Sequence, residues 1–253
     1  MFQARLQRRL HELDIHSFEE YAKTLLSSGD DSPEFSILAD YISTNKTEFF
    51  RENDHFRFMS TNFLPEYFNG ISGSQPQKLT VWSAGCSSGQ EAYSIAITLE
   101  DFMRMRGIRF DYSILATDIS GRMLKTVKEA IYPQTQADEI PMETKCRYFL
   151  KSKSMKDPKI RIVKELRNKI KPAYLNLMDH SYSLNVLYDV IFLRNTLIYF
   201  DHAVQQIVLT KVLNNLQTGG YLFIGHSESL INMNLPIRSI APSVYVKTKT
   251  ESL

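Results

Sequence analysis

The chain has 253 residues, 43% hydrophobic and 23% charged, the balance of a folded domain rather than of a disordered or fibrous chain. Lys and Arg number 30 against 28 Asp and Glu, a formal charge of +2 that alone neither requires nor excludes a polyanionic partner. Two cysteines without metal or disulfide spacing, no apolar run of membrane-spanning length and no apolar signal core in MFQARLQRRLHEL weigh against a disulfide scaffold or a membrane span and favour a reducing cytoplasm.

Phe2, Leu6, Leu10 and Leu13 recur at helical spacing, which leaves Arg5, Arg8 and Arg9 as a basic exposed side. Ser17 and Glu20 make a capping box for a second helix, with Phe18, Tyr21, Ala22, Leu25 and Leu26 as its expected buried face. Gly29 and two aspartates close it, and Ser32 before Pro33 starts a third, since Pro is favoured at the first helical position. Residues 1–45 thus read as a small helical domain that either packs passively or docks a partner. Thr44 to Phe58, TNKTEFFRENDHFRF, follows; Phe49, Phe50, Phe56 and Phe58 want burial, while Asn45, Thr47 and Arg51 offer hydrogen-bonding groups. Such a segment suits folding over a site, and the plainer alternative is a connecting turn. Residues 46–75 are read as this linker and a connecting helix.

Leu79 to Ala96, LTVWSAGCSSGQEAYSIA, changes from an apolar strand through a small-residue turn to a helix start. Backbone N–H groups and the positive helix end can there approach a polar ligand. The turn lacks the spaced glycines of a dinucleotide fingerprint, and Glu91 would repel a pyrophosphate, so a ligand with an amino group suits it better. The helix runs to Arg106 before Gly107, Tyr112 to Thr117 is a strand, Asp118 ends it and Ser120 caps the next helix. In a βαβ unit that acidic residue bonds ribose hydroxyls; a helix-capping or turn Asp is the alternative.

From Tyr132 to Pro172 the strand–helix alternation is interrupted. Between Lys145 and Lys171 eleven basic residues meet only Asp157 and Glu165, and Lys159 to Val163 alternates like a strand with one face in water. A small inserted β subdomain bearing positive charge at about 145–172 is expected, a solvated lysine-rich face being the alternative, with domain 76–253 otherwise α/β. Ala173–Leu177 and Leu187–Leu193 read as strands, His202–Leu216 as a helix, Tyr221–Ile224 as a buried strand and Ser243–Thr248 as an edge strand. Ligands in open α/β sheets lie beyond the carboxyl ends of strands, so Gly85 to Gly89, Asp118, Asn176, Asn195 and His226 are expected around one crevice.

NKTEFFRE at Asn45–Glu52, WSAGCSSGQEAYSIA at Trp82–Ala96, ATDIS at Ala116–Ser120, FLRNTLIYFD at Phe192–Asp201 and GGYLFIGHSESL at Gly219–Leu230 together resemble the chemotaxis receptor methyltransferases, the CheR family. The resemblance implies a Rossmann-like class I methyltransferase domain with an antiparallel β subdomain and a helical N-terminal domain, short here for the family. It implies S-adenosylmethionine as methyl donor, S-adenosylhomocysteine as product, and receptor glutamate side chains as acceptors. The implied cofactor-binding residues are Asn45, Thr47, Arg51, Gly85, Glu91, Asp118, Asn176, Leu177, Asn195 and Thr196. Thr196 stands where other members show a different side chain. Arg51 and Tyr199 are the implied catalytic residues, a buried structural tyrosine being the alternative for Tyr199, and His226 is read as structural. Arg5, Arg8 and Arg9 lie on the helix that meets the acidic receptor bundle. The implied partner is the cytoplasmic helical domain of methyl-accepting chemotaxis receptors, with no nucleic acid, metal or membrane insertion and a monomeric state.

Two other functions compete. A nucleic-acid methyltransferase has only the basic stretch in its favour, and Asn195 is followed by Thr196 and Leu197 rather than by Pro-Pro and an aromatic residue. A non-catalytic donor-binding scaffold would keep the pocket and lose turnover.

Overall fold

The computed structural model describes residues 2–27, 33–42, 46–69, 78–231 and 233–249. Three helices open the chain: α1 (Phe2–Glu12), α2 (Phe18–Ser27) and α3 (Pro33–Ile42). After them α4 (Asp54–Phe58) runs through a π-helical turn, Met59–Phe63, into α5 (Leu64–Asn69). Then come β1 (Leu79–Ala84), α6 (Gln90–Arg106), β2 (Tyr112–Asp118), α7 (Gly121–Glu129), β3 (Ile131–Pro133), α8 (Met142–Tyr148), β4 (Phe149–Lys151) and β5 (Lys159–Ile162). The chain continues through α9 (Lys164–Arg167), β6 (Ile170–Tyr174), β7 (Tyr188–Leu193), α10 (His202–Asn214), β8 (Leu216–Ile224), β9 (Ile237–Ala241) and β10 (Val244–Lys247). Among the described residues no helix is long and apolar enough to cross a membrane.

Seven strands form one sheet in the order β6-β2-β1-β7-β8-β10-β9, parallel from β6 to β8, with β10 antiparallel to both neighbours. This is the Rossmann-like class I arrangement, and β1 is its switch point, because the chain winds outward to β2 on one side and β7 on the other. Central parallel strands are covered on both faces, which is why VWSA and VIFL are continuously apolar or small rather than alternating. Val81, Phe192 and Phe223 pack towards α6 and the aromatic residues of 49–63, whereas Trp82, Ile191 and Leu222 pack towards Val208, Leu209 and Val212 of α10. Phe192 and Phe223, paired across β7 and β8, stack with centroids 4.4 Å apart.

The cues for α6 hold at both ends. Gly107 (φ 64) caps it in the left-handed conformation, with N–H groups of Gly107 and Ile108 donating to Arg104 and Met103 carbonyls. Asp201 and Ser120 accept the Val204 and Met123 amides at the starts of α10 and α7. The separate sheet β3-β5-β4 occupies residues 131–162, so it begins before and ends short of the expected 145–172. The strand expected at Ala173–Leu177 instead occupies Ile170–Tyr174, starting inside the basic stretch, and joins the main sheet beside β2. Lys169 and Lys171 at its start disguised it, for a sheet-edge strand tolerates charge that a central strand does not.

The helical unit departs from the amphipathic pattern at several of its apolar positions, Leu13 (37% exposed) among them. Its core is Leu6, Leu10 and Tyr21, with Leu25 also buried, while Phe18 and Leu26 are 38% and 77% exposed and Ala22 is exposed too. Tyr21 and Leu25, four residues apart, set the buried line; Phe18, Ala22 and Leu26 fall on its flanks, where so small a unit has nothing to cover them. Ser17 accepts the Glu20 amide as expected, but the Glu20 carboxylate reaches the His16 N–H rather than that of Ser17.

Replacing Phe223 with Ala should lower stability by about 3–5 kcal/mol, the cost of truncating a buried aromatic residue. Phe18→Ala should change it by less than about 0.5 kcal/mol. Chemical-denaturation midpoints measure both.

Candidate active site

At the carboxyl end of β1 the chain turns sharply because three residues adopt positive φ: Gly85 (72°), Ser87 (49°) and Gly89 (96°). The Gly85 and Cys86 amides donate to the Thr117 carbonyl at 2.8 and 2.9 Å, folding the turn over the end of β2. Glycine is required for space as well as conformation, since a Cβ on Gly85 would lie 2.5 Å from Thr196 Oγ1. Tyr132 of the small sheet buttresses the turn, its hydroxyl donating to the Ser88 carbonyl at 2.8 Å.

Asp118 lies beside this turn. Its Oδ2 accepts the Ser87 amide at 2.8 Å and its Oδ1 the Ser120 amide at 2.9 Å. A carboxylate offers about four acceptor sites, so these bonds still leave acceptor capacity for a ligand diol. Burial pushes the Asp118 carboxyl above the ordinary aspartate value, and the Ser120 and Ser87 N–H groups work against that rise.

The third feature is Arg194, a buried guanidinium at the end of β7. It donates to Glu91 Oε2 at 3.1 Å, to Glu52 Oε2 at 3.0 Å and to the Arg51 carbonyl, and it lies over the Phe56 ring at 5.5 Å. Glu91 is further held by Ser83 Oγ at 2.6 Å. Glu52 also accepts Asn195 Nδ2 at 3.1 Å and the His226 amide at 3.2 Å. Burial raises the Glu91 carboxyl, with Arg194 and Ser83 pulling the other way. Burial acts on Glu52 too, but the hydrogen bond from Asn195 and the charge of Arg194 bring it below the ordinary range. With both carboxyls ionised, the two anions share one cation and carry one net negative charge.

These walls enclose a cavity of about 620 Å³. Of the expected site residues, Thr47, Arg51, Gly85, Glu91, Asp118, Asn176, Leu177, Asn195, Thr196 and Tyr199 line it, and Asn45 lies outside the described residues. Arg51 is steadied by donating to the Lys46 carbonyl at 3.0 Å. Asn176 Oδ1 accepts the Met178 amide, which leaves its Nδ2 donor for a ligand. Thr196 Oγ1 turns back to the Arg194 carbonyl at 3.2 Å. Tyr199 is 58% exposed, so the buried structural tyrosine is excluded.

His226 does not line the cavity; its ring packs edge-on against His55 at 4.9 Å, with Glu52 close by. Burial and the nearby Arg194 push His55 down to about 4, so it is neutral at physiological pH. Although Glu52, His55 and His226 sit close enough to suggest a metal site, the carboxylate is already paired with Arg194, and a divalent cation would have to displace that guanidinium.

Arg9 corrects the expected basic surface. Its guanidinium makes a two-point pair with Glu34, at 2.8 and 2.5 Å, and it is 15% exposed. It follows Leu6 by three residues, at the flank of the buried stripe, where spacing alone cannot separate a free cation from a paired one. Arg8 is 79% exposed beside Glu12, and the Arg5 side chain lies outside what the structure describes.

Sequence reasoning did not single out Arg194 and Glu52, which pair at the cavity wall, or Glu228, which lies behind it. All three stand inside motifs already noted, and the available signal was a charged residue closing an apolar strand, as in VIFLR.

Taken along the sheet edge, β6 brings Leu175–Leu177, β2 brings Asp118, β1 the glycine turn, and β7 Arg194–Thr196. With strands about 4.8 Å apart these four positions span roughly 14 Å. A ligand lying across them meets an amide and apolar wall, a diol acceptor, a gap without side chains, and an anion-rich end with Arg51. That sequence fits adenine, ribose, a thioether or sulfonium and an amino-acid end.

Comparison with known proteins agrees. The family model "CheR methyltransferase, SAM binding domain" matches residues 45–246. Chemotaxis protein methyltransferase of Borreliella burgdorferi is 35% identical over 98% of this chain and 86% of its own length. Those of Salmonella typhimurium and Escherichia coli are 32% and 33% identical, over 98% and 97% of this chain and 82% of theirs. The chain therefore belongs to the CheR methyltransferase family, with S-adenosylmethionine as its cofactor.

Proposed function

We propose that this protein transfers a methyl group to glutamate side chains of methyl-accepting chemotaxis receptors, forming glutamyl methyl esters in the cytoplasm. One observation carries this: the cavity positions groups but, among the described residues, contains no histidine to serve as a general base. An ionised glutamate, with a reference pKa of about 4.3, needs none. Relatives that are named chemotaxis protein methyltransferases support the receptor as partner.

S-adenosylmethionine, when bound, supplies a methyl group already made electrophilic by its sulfonium. The residues here bind and orient. Asp118 offers its remaining lone pairs to ribose hydroxyls, and Asn176 with Leu177 borders the adenine. Glu91, within the anion-rich cluster around Arg194, faces the ammonium. Arg51 orients the donor carboxylate or the incoming acceptor, and Tyr199, at the exposed mouth, supports the acceptor. Gly85 leaves the reacting centre uncrowded. Orientation of this kind can contribute about 7–11 kcal/mol in favourable cases. Arg8, solvent-exposed though near Glu12, is more available than the Glu34-paired Arg9 to an acidic receptor surface.

Incubation with labelled donor and a receptor cytoplasmic domain, followed by mild base, should release labelled methanol; base-stable label would mean N-methylation, and no label with donor binding intact would mean a scaffold. Asp118→Ala should weaken donor binding by about tenfold or more, the scale of a lost charge-assisted hydrogen bond, as read by calorimetry. Arg8→Glu should raise the receptor KM and leave donor affinity unchanged, whereas Arg9→Glu should lower thermal stability; equal effects would remove the distinction between them.

A further inference from the structure

Glu228 follows β8 in the segment Gly225-His226-Ser227-Glu228 and is 9% exposed. It does not line the cavity. Its carboxylate instead collects three backbone amides from two segments of chain. Oε2 accepts Gly225 N–H at 2.6 Å and Asn195 N–H at 2.9 Å, and Oε1 accepts Leu197 N–H at 2.7 Å. Asn195 and Leu197 bracket Thr196, so the turn that carries two cavity-lining residues is held from behind by one side chain.

That turn needs holding. Asn195 adopts φ 54, in the left-handed region, at the point where β7 ends. Residues other than glycine persist there only when their surroundings over-determine the conformation. The approach is also tight, for a Cβ on Gly225 would lie 2.5 Å from Asn195 Nδ2 and 2.9 Å from both Asn195 N and Glu228 Oε2. Glycine at 225 admits the turn, and Glu228 fixes it. A carboxylate, which only accepts, suits three converging donors; a carboxamide would point an NH₂ at one of them.

We propose that Glu228 is a positioning residue for the donor site: without touching donor or acceptor, it fixes the left-handed Asn195 and so the placement of Asn195 and Thr196 against the ligand. Glu52 holds the Asn195 side chain from the opposite segment while Glu228 holds its backbone. This rests on the assignment of the cavity to S-adenosylmethionine.

Calorimetry with S-adenosylhomocysteine comes first, because a wild-type protein that fails to bind it overturns the cavity assignment and this proposal together. With wild-type binding established, Glu228→Gln should weaken binding by about tenfold or more. In steady-state assays it should raise the donor KM while the receptor KM stays within about twofold, a split that general loosening of the fold would not give. A double-mutant cycle supplies the decisive test. Asn195→Ala should cost several-fold alone and much less in the Glu228→Gln background, since both changes disable one turn. Multiplying losses, or wild-type affinity in Glu228→Gln, would overturn the role of Glu228 and leave the cavity assignment standing. Glu228→Asp, which keeps the charge and shortens the reach, gives the same reading should Glu228→Gln fold poorly, with intermediate loss expected and wild-type affinity contradicting the proposal.

Discussion

One buried guanidinium ties the site together. Arg194 closes β7, yet its partners come from the linker segment, at Arg51 and Glu52, and from the first turn of α6, at Glu91. An unpaired charge in that position would cost several kcal/mol, and breaking one member of such a pair costs about 3–5 kcal/mol. The linker therefore cannot leave the sheet without taking Glu52 and the Arg51 carbonyl away from the buried guanidinium, which keeps only Glu91, and the segment carrying Thr47 and Arg51 is held over the strand ends. A contact between residues more than 140 positions apart thus makes a cavity out of an open sheet edge.

Around that centre the backbone is bent against its preferences. Phe50 (φ 55), Glu52 (φ 54), Ser87 (φ 49) and Asn195 (φ 54) are four of the seven non-glycine residues with positive φ among those described. Each is fixed by a polar contact: the Phe50 amide donates to Ser94 Oγ, Glu52 meets Arg194, the Ser87 amide meets Asp118, and the Asn195 amide meets Glu228. Such conformations cost about 1–3 kcal/mol apiece and persist where neighbours over-determine them. Their concentration here means that the shape of the cavity is set before a ligand arrives, as catalysis by positioning requires.

Much of this was legible in the chain. The strand–turn–helix of Leu79–Ala96, the acidic end of β2 and the small residues of the turn follow from short-range rules of periodicity, capping and φ, and the structure places them together. What was not legible depended on pairing across the fold. Arg9 looked free until Glu34 was seen beside it, 25 residues away, and the first residues of Ile170–Tyr174 looked like part of the basic insertion until they were seen to join β2. Arg194, Glu52 and Glu228 escaped notice because a charged residue in a motif shows its type but not its partner. His226 was placed by the strand-end rule near the crevice, and its ring turned instead to His55.

The central claim is that the cluster of Glu52, Arg194 and Glu91 presents a net negative charge that recognises the amino-acid end of the donor. It is tested most directly by comparing two ligands on two proteins in calorimetry: S-adenosylhomocysteine and methylthioadenosine, which lacks the amino-acid end, each with wild type and Glu91→Gln. The account predicts that Glu91→Gln weakens S-adenosylhomocysteine by about tenfold or more and leaves methylthioadenosine unchanged. Equal weakening of both ligands, or of neither, would contradict it.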